Sequence, residues 1–129
     1  MKDKPKLMVV DNEIDICNFV KSFFELRGFK VATALNGDEA VAKLLEEKPD
    51  IVMLDVKMRR EQEGLEYLPV IKEKLPAVKV IMVTGVEDHD AVEMATKLGA
   101  DDYITKPLIL EYLETNVLAK IKQLREVAA

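Results

Sequence analysis

Short, almost wholly apolar runs alternate along this chain with longer stretches whose apolar residues recur every three or four positions. Lys6–Val10 is the first such run. The segment after it sets Ile16, Phe19, Val20 and Phe23 on one helical face and stops at Gly28, a residue suited to the left-handed position just past a helix. Phe29–Thr33 predicts a second strand. Asn36 then caps a helix that turns Ala40, Val41, Leu44 and Leu45 inward and ends before Pro49. Asp50–Leu54 predicts a third strand, followed by a polar stretch from Lys57 to Glu63. A helix over about Leu65–Leu75 contains Pro69, which marks either a kink or a late start. Val78–Val83 predicts a fourth strand, and Ala91, Ala95 and Leu98 mark a helix ending at Gly99. Asp101–Ile104 predicts a short fifth strand. Leu110, Leu113, Val117, Ile121 and Leu124 form the stripe of the last helix.

Five strand–helix repeats predict an α/β fold with a parallel sheet. Strands 1, 3 and 4 are nearly all apolar, as expected when helices cover both faces. Right-handed crossovers then favour a doubly wound five-stranded sheet of order 2-1-3-4-5 with five helices. Ligands of such sheets bind beyond the carboxyl ends of the strands, where strands 1 and 3 diverge.

Composition narrows the classes. The chain has 129 residues, a common size for one domain, and 49% of them are hydrophobic, so a sizeable core can be buried. The core must be aliphatic, because aromatics make up 5% and Trp is absent. A net charge of -5 argues against direct nucleic-acid binding and against anionic membranes. Cys17, the single cysteine, forbids an internal disulfide and reads as a small buried hydrophobe. No apolar run approaches the roughly 18 residues of a membrane span. Met1–Pro5 lacks the apolar stretch of a signal peptide, so the expected location is cytoplasmic. His89, the single histidine, sits in an acidic run and reads as a solvated surface residue.

The unusual residues fall at the predicted strand ends. Strand 1 runs into Asp11-Asn12-Glu13, strand 3 into Asp55, strand 4 into Thr84-Gly85 and strand 5 into Thr105-Lys106-Pro107. Each alone is an ordinary turn or capping residue. Together they suit one chemistry. Two carboxylates on adjacent strands repel, and a hard cation such as Mg²⁺ relieves the repulsion. Asp55 can then attack phosphorus and form an aspartyl phosphate, with Lys106 and Thr84 each serving one phosphoryl oxygen.

Val9-Val-Asp-Asn12, Met53-Leu-Asp-Val-Lys-Met58, Met82-Val-Thr-Gly85, Leu98-Gly-Ala-Asp-Asp-Tyr-Ile104 and Thr105-Lys-Pro107 resemble receiver domains of bacterial two-component response regulators. The likeness is to the CheY type, whose sheet has the 2-1-3-4-5 flavodoxin-like order. It covers about Leu7 to Leu124 and implies a single receiver domain over 1–129 with a core of about 6–125. It further implies that Asp55 is the phosphoacceptor, that Asp11, Asn12, Asp55 and the backbone carbonyl of Lys57 serve Mg²⁺, and that Thr84 and Lys106 are catalytic. Thr84 and Tyr103 become the switch pair, and Lys106–Pro107 a cis peptide. The implied partners are a sensor histidine kinase or histidine phosphotransfer protein and a downstream effector or output domain. A homodimer through the helix 4–strand 5–helix 5 face is one further implied arrangement. The resemblance implies a signalling switch rather than an enzyme, acting only on its own phosphorylation and dephosphorylation.

Departures from the pattern keep alternatives open. The usual second acid after strand 1 is Asn12 here, and the usual Met-Pro after the acceptor strand is Met58-Arg59. Lys57 stands beside the path of an attacking water. A degenerate receiver acting only as an interaction module is one alternative. A haloacid-dehalogenase-type phosphatase would need a second acid where Lys57 stands. An FMN protein would need a phosphate-cradling loop, and Asp11–Asp15 carries the wrong charge.

Overall fold

The computed structural model describes residues 4–85 and 88–128, the last four by backbone alone. Met1–Asp3, part of the amino-terminal segment read above, and Glu87 of the acidic run before His89 lie outside the described residues. The strands are β1 (Lys6–Val10), β2 (Lys30–Ala34), β3 (Ile51–Asp55), β4 (Lys79–Thr84) and β5 (Asp102–Thr105). Between them run α1 (Ile14–Glu25), α2 (Gly37–Glu47), α3 (Glu63–Lys74) and α4 (His89–Lys97). The final helix, α5, is α-helical over Leu110–Tyr112, widens to a π turn over Leu113–Val117 and is α-helical again over Leu118–Ala128. All strand pairs are parallel, in the order β2-β1-β3-β4-β5.

The sheet divides the core by residue parity, because neighbouring side chains on a strand face opposite ways. Met8, Val10, Val52, Leu54, Val80 and Met82 pack with Ala40 and Leu44 of α2, Leu65, Leu68 and Ile71 of α3 and Ala91 and Ala95 of α4. Leu7, Val9, Ile51, Met53, Ile81 and Val83 pack with Cys17, Val20 and Phe24 of α1 and Leu113, Val117 and Ile121 of α5. Phe24 also meets Phe23 and Phe29 edge-on, with centroids 4.9 and 5.1 Å away. Cys17 is a buried thiol that donates to the Asp11 carbonyl at 3.4 Å. Burial and the nearby Asp11 push it up to about 11.

Helix ends follow local chemistry. The Asn36 side chain accepts the Glu39 N–H at 2.9 Å, while Glu39 reaches back to the Leu35 N–H at 3.0 Å. Gly28 and Gly99 take φ of +87° and +103° just past α1 and α4, where a side chain would be strained.

Several expectations need correction. Strands β2 to β5 each lie one residue further along than the apolar runs suggest, so Asp55 and Thr84 end strands rather than follow them. Pro69 sits inside α3, not at its start. Phe19, Leu45 and Leu110 are exposed. Phe19 and Leu45 stand one position, about 100° of helix, from the buried Val20 and Leu44. Leu110 precedes the π turn, whereas Leu113 and Val117 at its two ends and Ile121 beyond it line up at four-residue intervals and take the core.

Candidate functional site

Sheet register brings the site together. Val10 pairs with Leu54, so the next residues, Asp11 just past β1 and Asp55 at the end of β3, stand side by side. Asp55 pairs with Val83, which sets Thr84 one step beyond it. Thr84 pairs with Thr105, and the Lys106 N–H donates to the Thr84 carbonyl at 2.8 Å. The Lys106–Pro107 peptide is cis. Lys106 reaches both carboxylates: its Nζ lies 2.8 Å from Asp55 Oδ2 and 3.4 Å from Asp11 Oδ2.

Asp11, Asp55 and Thr84 are all buried, between 1% and 2% exposed. Burial pushes the Asp55 carboxyl up to about 7; the Lys106 ammonium opposes this and the Asp11 charge adds to it. Burial alone would lower Lys106, but Asp55 and Asp11 hold it above its ordinary value. When Asp11 and Asp55 are both ionised, two buried carboxylates face one ammonium and the pocket carries an excess negative charge. Asp11 is fixed by the Glu13 N–H, which donates to its Oδ1 at 2.9 Å.

The remaining expected residues sit around this centre. Thr84 donates to the Ile104 carbonyl at 3.4 Å, a long contact, and lines a groove of about 190 Å³ with Gly85, Asp88, Tyr103 and Thr105. Tyr103 is 44% exposed on the outer side of that groove. Asn12 is exposed, and its amide holds no hydrogen bond among the described residues. The Lys57 side chain is exposed, with Nζ 3.5 Å from Asp88 Oδ1 and 3.6 Å from Glu61 Oε1. Its backbone carbonyl accepts no hydrogen bond among the described residues.

Two residues hold structural contacts that the sequence pattern did not reveal. Gly64 packs directly beneath the acceptor: a methyl there would overlap the Asp55 carbonyl oxygen and stand 2.9 Å from Val56 Cα. Glu63 is fully buried, yet the sequence shows it only as one acid in a polar loop. Its Oε2 accepts the Gly37 N–H at 2.9 Å, and its Oε1 the Arg59 N–H at 3.0 Å. The Arg59 guanidinium donates to Glu63 Oε2 at 2.6 Å. Burial alone would raise Glu63, but these donors outweigh it and draw the carboxyl down to about 2. In the sequence both stand just ahead of the helix expected from about Leu65, whereas α3 begins at Glu63 itself.

A cation would find a fitting donor set here. Among the described residues no three His, Cys, Asp or Glu side chains form a metal cage. Asp11 and Asp55 instead bring two carboxylates together around Lys106 Nζ, the sparse oxygen set that suits Mg²⁺ with its waters.

Comparison with known proteins points to one family. The family model described as "Response regulator receiver domain" matches residues 7–118. The chemotaxis protein CheY of Listeria monocytogenes is 43% identical over 114 residues, covering 84% of this chain and 95% of that protein. The alkaline phosphatase synthesis transcriptional regulatory protein PhoP of Bacillus subtilis is 33% identical over 124 residues, covering 96% of this chain. The chain spans 51% of that regulator's length and 29% of the transcriptional regulatory protein ZraR of Salmonella typhimurium. A CheY-like receiver domain protein from Methanospirillum hungatei superposes with a TM-score of 0.83 at 28% identity, covering 95% of this chain and 98% of that one. With a flavodoxin-like sheet, a matching family model and relatives of this kind, the chain belongs to the receiver domains of two-component response regulators.

Proposed function

We propose that the chain accepts a phosphoryl group on Asp55 and changes its surface in response. The observation that carries this reading is the Lys106 ammonium set 2.8 Å from one Asp55 oxygen, with Asp11 alongside. Asp11, Asp55 and the Lys57 carbonyl, with the Asn12 amide beside them, would hold Mg²⁺. When bound, the ion supplies the positive charge that lets two carboxylates and a phosphoryl group share one pocket.

The donor is a phosphohistidine of a sensor kinase or phosphotransfer protein. Its N–P bond breaks as an Asp55 oxygen forms the new O–P bond, and the imidazole leaves to take a proton from solvent. Lys106 stays with the acceptor and neutralises an oxygen of the transferred group. The Thr84 hydroxyl, held only by a 3.4 Å bond to Ile104, exchanges that weak acceptor for a phosphoryl oxygen. Its inward move frees space in the groove it lines, and Tyr103 turns from the surface into it. The face made by α4, β5 and α5 then presents a different shape to an effector, an output domain or a second copy. This is a population shift driven by the new charge. The setting is cytoplasmic, and the unit acts as one receiver domain.

Intact-mass analysis after incubation with Mg²⁺ and acetyl phosphate tests the proposal. One added phosphoryl group is expected on the wild-type chain and none on Asp55→Asn. Equal labelling of both, or labelling of neither, overturns it.

A further inference from the structure

The loop from Val56 to Gln62 leaves the acceptor strand with no regular structure to hold it, yet it carries the Lys57 carbonyl. Backbone hydrogen bonds fix its two ends: Val56 N–H donates to the Val83 carbonyl of β4 at 3.0 Å, Gly64 N–H to the Val56 carbonyl at 2.9 Å and Glu63 N–H to the Arg60 carbonyl at 3.4 Å. Between them only Met58 N–H to the Arg60 carbonyl, at 3.1 Å, shapes the loop, and none of these bonds reaches α2. The tie to α2 is made by Glu63. One of its oxygens takes the Arg59 backbone N–H from within the loop, and the other takes the N–H of Gly37, the first residue of α2. The Arg59 side chain closes the arrangement. It donates to both Glu63 oxygens through Nε, at 3.1 and 3.2 Å, and again through Nη2 at 2.6 Å. Its remaining Nη1 reaches Asp38 Oδ2 on α2 at 3.2 Å.

The anchor point is itself immobilised. Asp38 also accepts a hydrogen bond from the Tyr67 hydroxyl of α3. The Tyr67 ring lies so close over Gly37 that any side chain there would overlap it. Glu63 is fully buried, and an unpaired carboxylate at that depth would be costly, so the pairing is strongly favoured over a free loop. A residue with no ring to fix its own φ, Arg59, is thus held by a buried carboxylate against the start of the neighbouring helix.

We infer that Arg59 and Glu63 are positioning residues that clamp the Val56–Gln62 loop to α2 and so hold the Lys57 carbonyl in place for a divalent cation at Asp11 and Asp55. The inference rests on the proposed phosphoryl-accepting site. Neither side chain touches the ion or the phosphoryl group. Loosening the clamp weakens the cation site without removing any of its ligands, because the loop must then be ordered at the moment of binding.

Calorimetric titration of the whole chain with Mg²⁺ tests this, run beside urea unfolding without Mg²⁺ and phosphorylation rates across Mg²⁺ concentrations. Arg59→Ala, at a side chain 41% exposed, is expected to weaken Mg²⁺ binding roughly tenfold. The phosphorylation rate at saturating Mg²⁺ is expected to stay within about twofold of wild type, so that the loss lies in the half-saturating concentration. Arg59→Lys, which keeps a cation but not the fork, falls between and carries the comparison should Arg59→Ala lack a cooperative unfolding transition. Lowered urea stability with an unchanged Mg²⁺ affinity would make the clamp merely structural and overturn the inference. A wild-type chain that binds no Mg²⁺ and takes no phosphoryl group would instead remove the proposed function, and this inference with it.

Discussion

Gly64 supports Asp55 from below: the glycine α-carbon packs so tightly that an added methyl would overlap the Asp55 carbonyl oxygen and stand 2.8 Å from its carbon. The neighbour is backbone, which cannot swing aside as a side chain would. Gly64→Ala must therefore move the end of β3 or the start of α3. The expected cost is about 1–3 kcal/mol in urea unfolding, together with slower phosphorylation by acetyl phosphate, since the displaced atoms belong to the acceptor itself. Wild-type values in both measurements would show that the backbone yields freely here.

Asp55 itself opposes folding at neutral pH. Its carboxyl titrates at about 7 in the fold against an ordinary 3.8. Between those values the folded state binds more protons than the unfolded chain, so stability falls as pH rises through the window. The cost is complete only above pH 7 and absent below 3.8. Asp55→Asn removes it and is expected to be more stable than wild type by on the order of 2–4 kcal/mol at pH 8. The difference should shrink to less than half by pH 5. Urea unfolding at the two pH values measures it, and a variant less stable at pH 8 would contradict the argument. Mg²⁺ should narrow the gap by stabilising the wild-type fold.

Much of this site was legible from the chain because strand ends are marked by a change of residue type. Apolar runs stop at Asp11, Asp55 and Thr84, and the switch-point rule gathers such ends at one edge. The one-residue offsets of the strands were not legible. Asp50 is polar and precedes β3, while Asp55 is polar and completes it; the difference is the pairing of Asp55 with Val83 across the sheet. Glu63 was hidden for a related reason. Its partner Gly37 is 26 residues away and donates only a backbone N–H, which no pattern of side chains reveals. The exposure of Phe19 and Leu110 depends on the phase of each helix against the sheet. The π turn in α5 resets that phase within one turn.

Glu63 gives the fold an acid-sensitive contact of the opposite sign to Asp55. Its carboxyl lies at about 2, below the ordinary 4.5. The unfolded chain binds more protons between those values, so the stabilisation is fully present above pH 4.5 and is lost as pH falls through 2. Screening at the half-exposed Arg59 reduces it to on the order of 1–2 kcal/mol. Glu63→Gln is expected to be less stable than wild type at pH 7, with the deficit smaller at pH 3, by urea unfolding at both. A deficit independent of pH would assign the loss to packing instead.

Thr84 should matter little to stability and much to signalling. Its bond to the Ile104 carbonyl is long at 3.4 Å, so Thr84→Ala is expected to cost under about 1 kcal/mol. With beryllofluoride and Mg²⁺ as a phosphoryl mimic, amide shifts of Tyr103 and α4 should change in wild type and in Thr84→Ser. They should stay largely still in Thr84→Ala. Wild-type shifts in Thr84→Ala would separate the hydroxyl from the switch.

Lys57 bears on how long the phosphoryl group survives. Its ammonium sits between Asp88 on one loop and Glu61 on another, at 3.5 and 3.6 Å, along a cleft lined also by Val56 and Gln62. Both pairs are loose and the lysine is 53% exposed, so they add little to stability. They do hold a four-carbon stem two residues from the acceptor, and this stem is expected to slow a hydrolytic water. Lys57→Ala removes the stem and leaves every proposed ligand in place, since the metal-facing group of residue 57 is its backbone carbonyl. The expected result is a phosphoryl lifetime shortened roughly two- to tenfold, a barrier change of about 0.4–1.4 kcal/mol. Unfolding in urea should hardly move. A time course of intact mass after acetyl phosphate is removed measures the lifetime, and a rate equal to wild type would rule the side chain out.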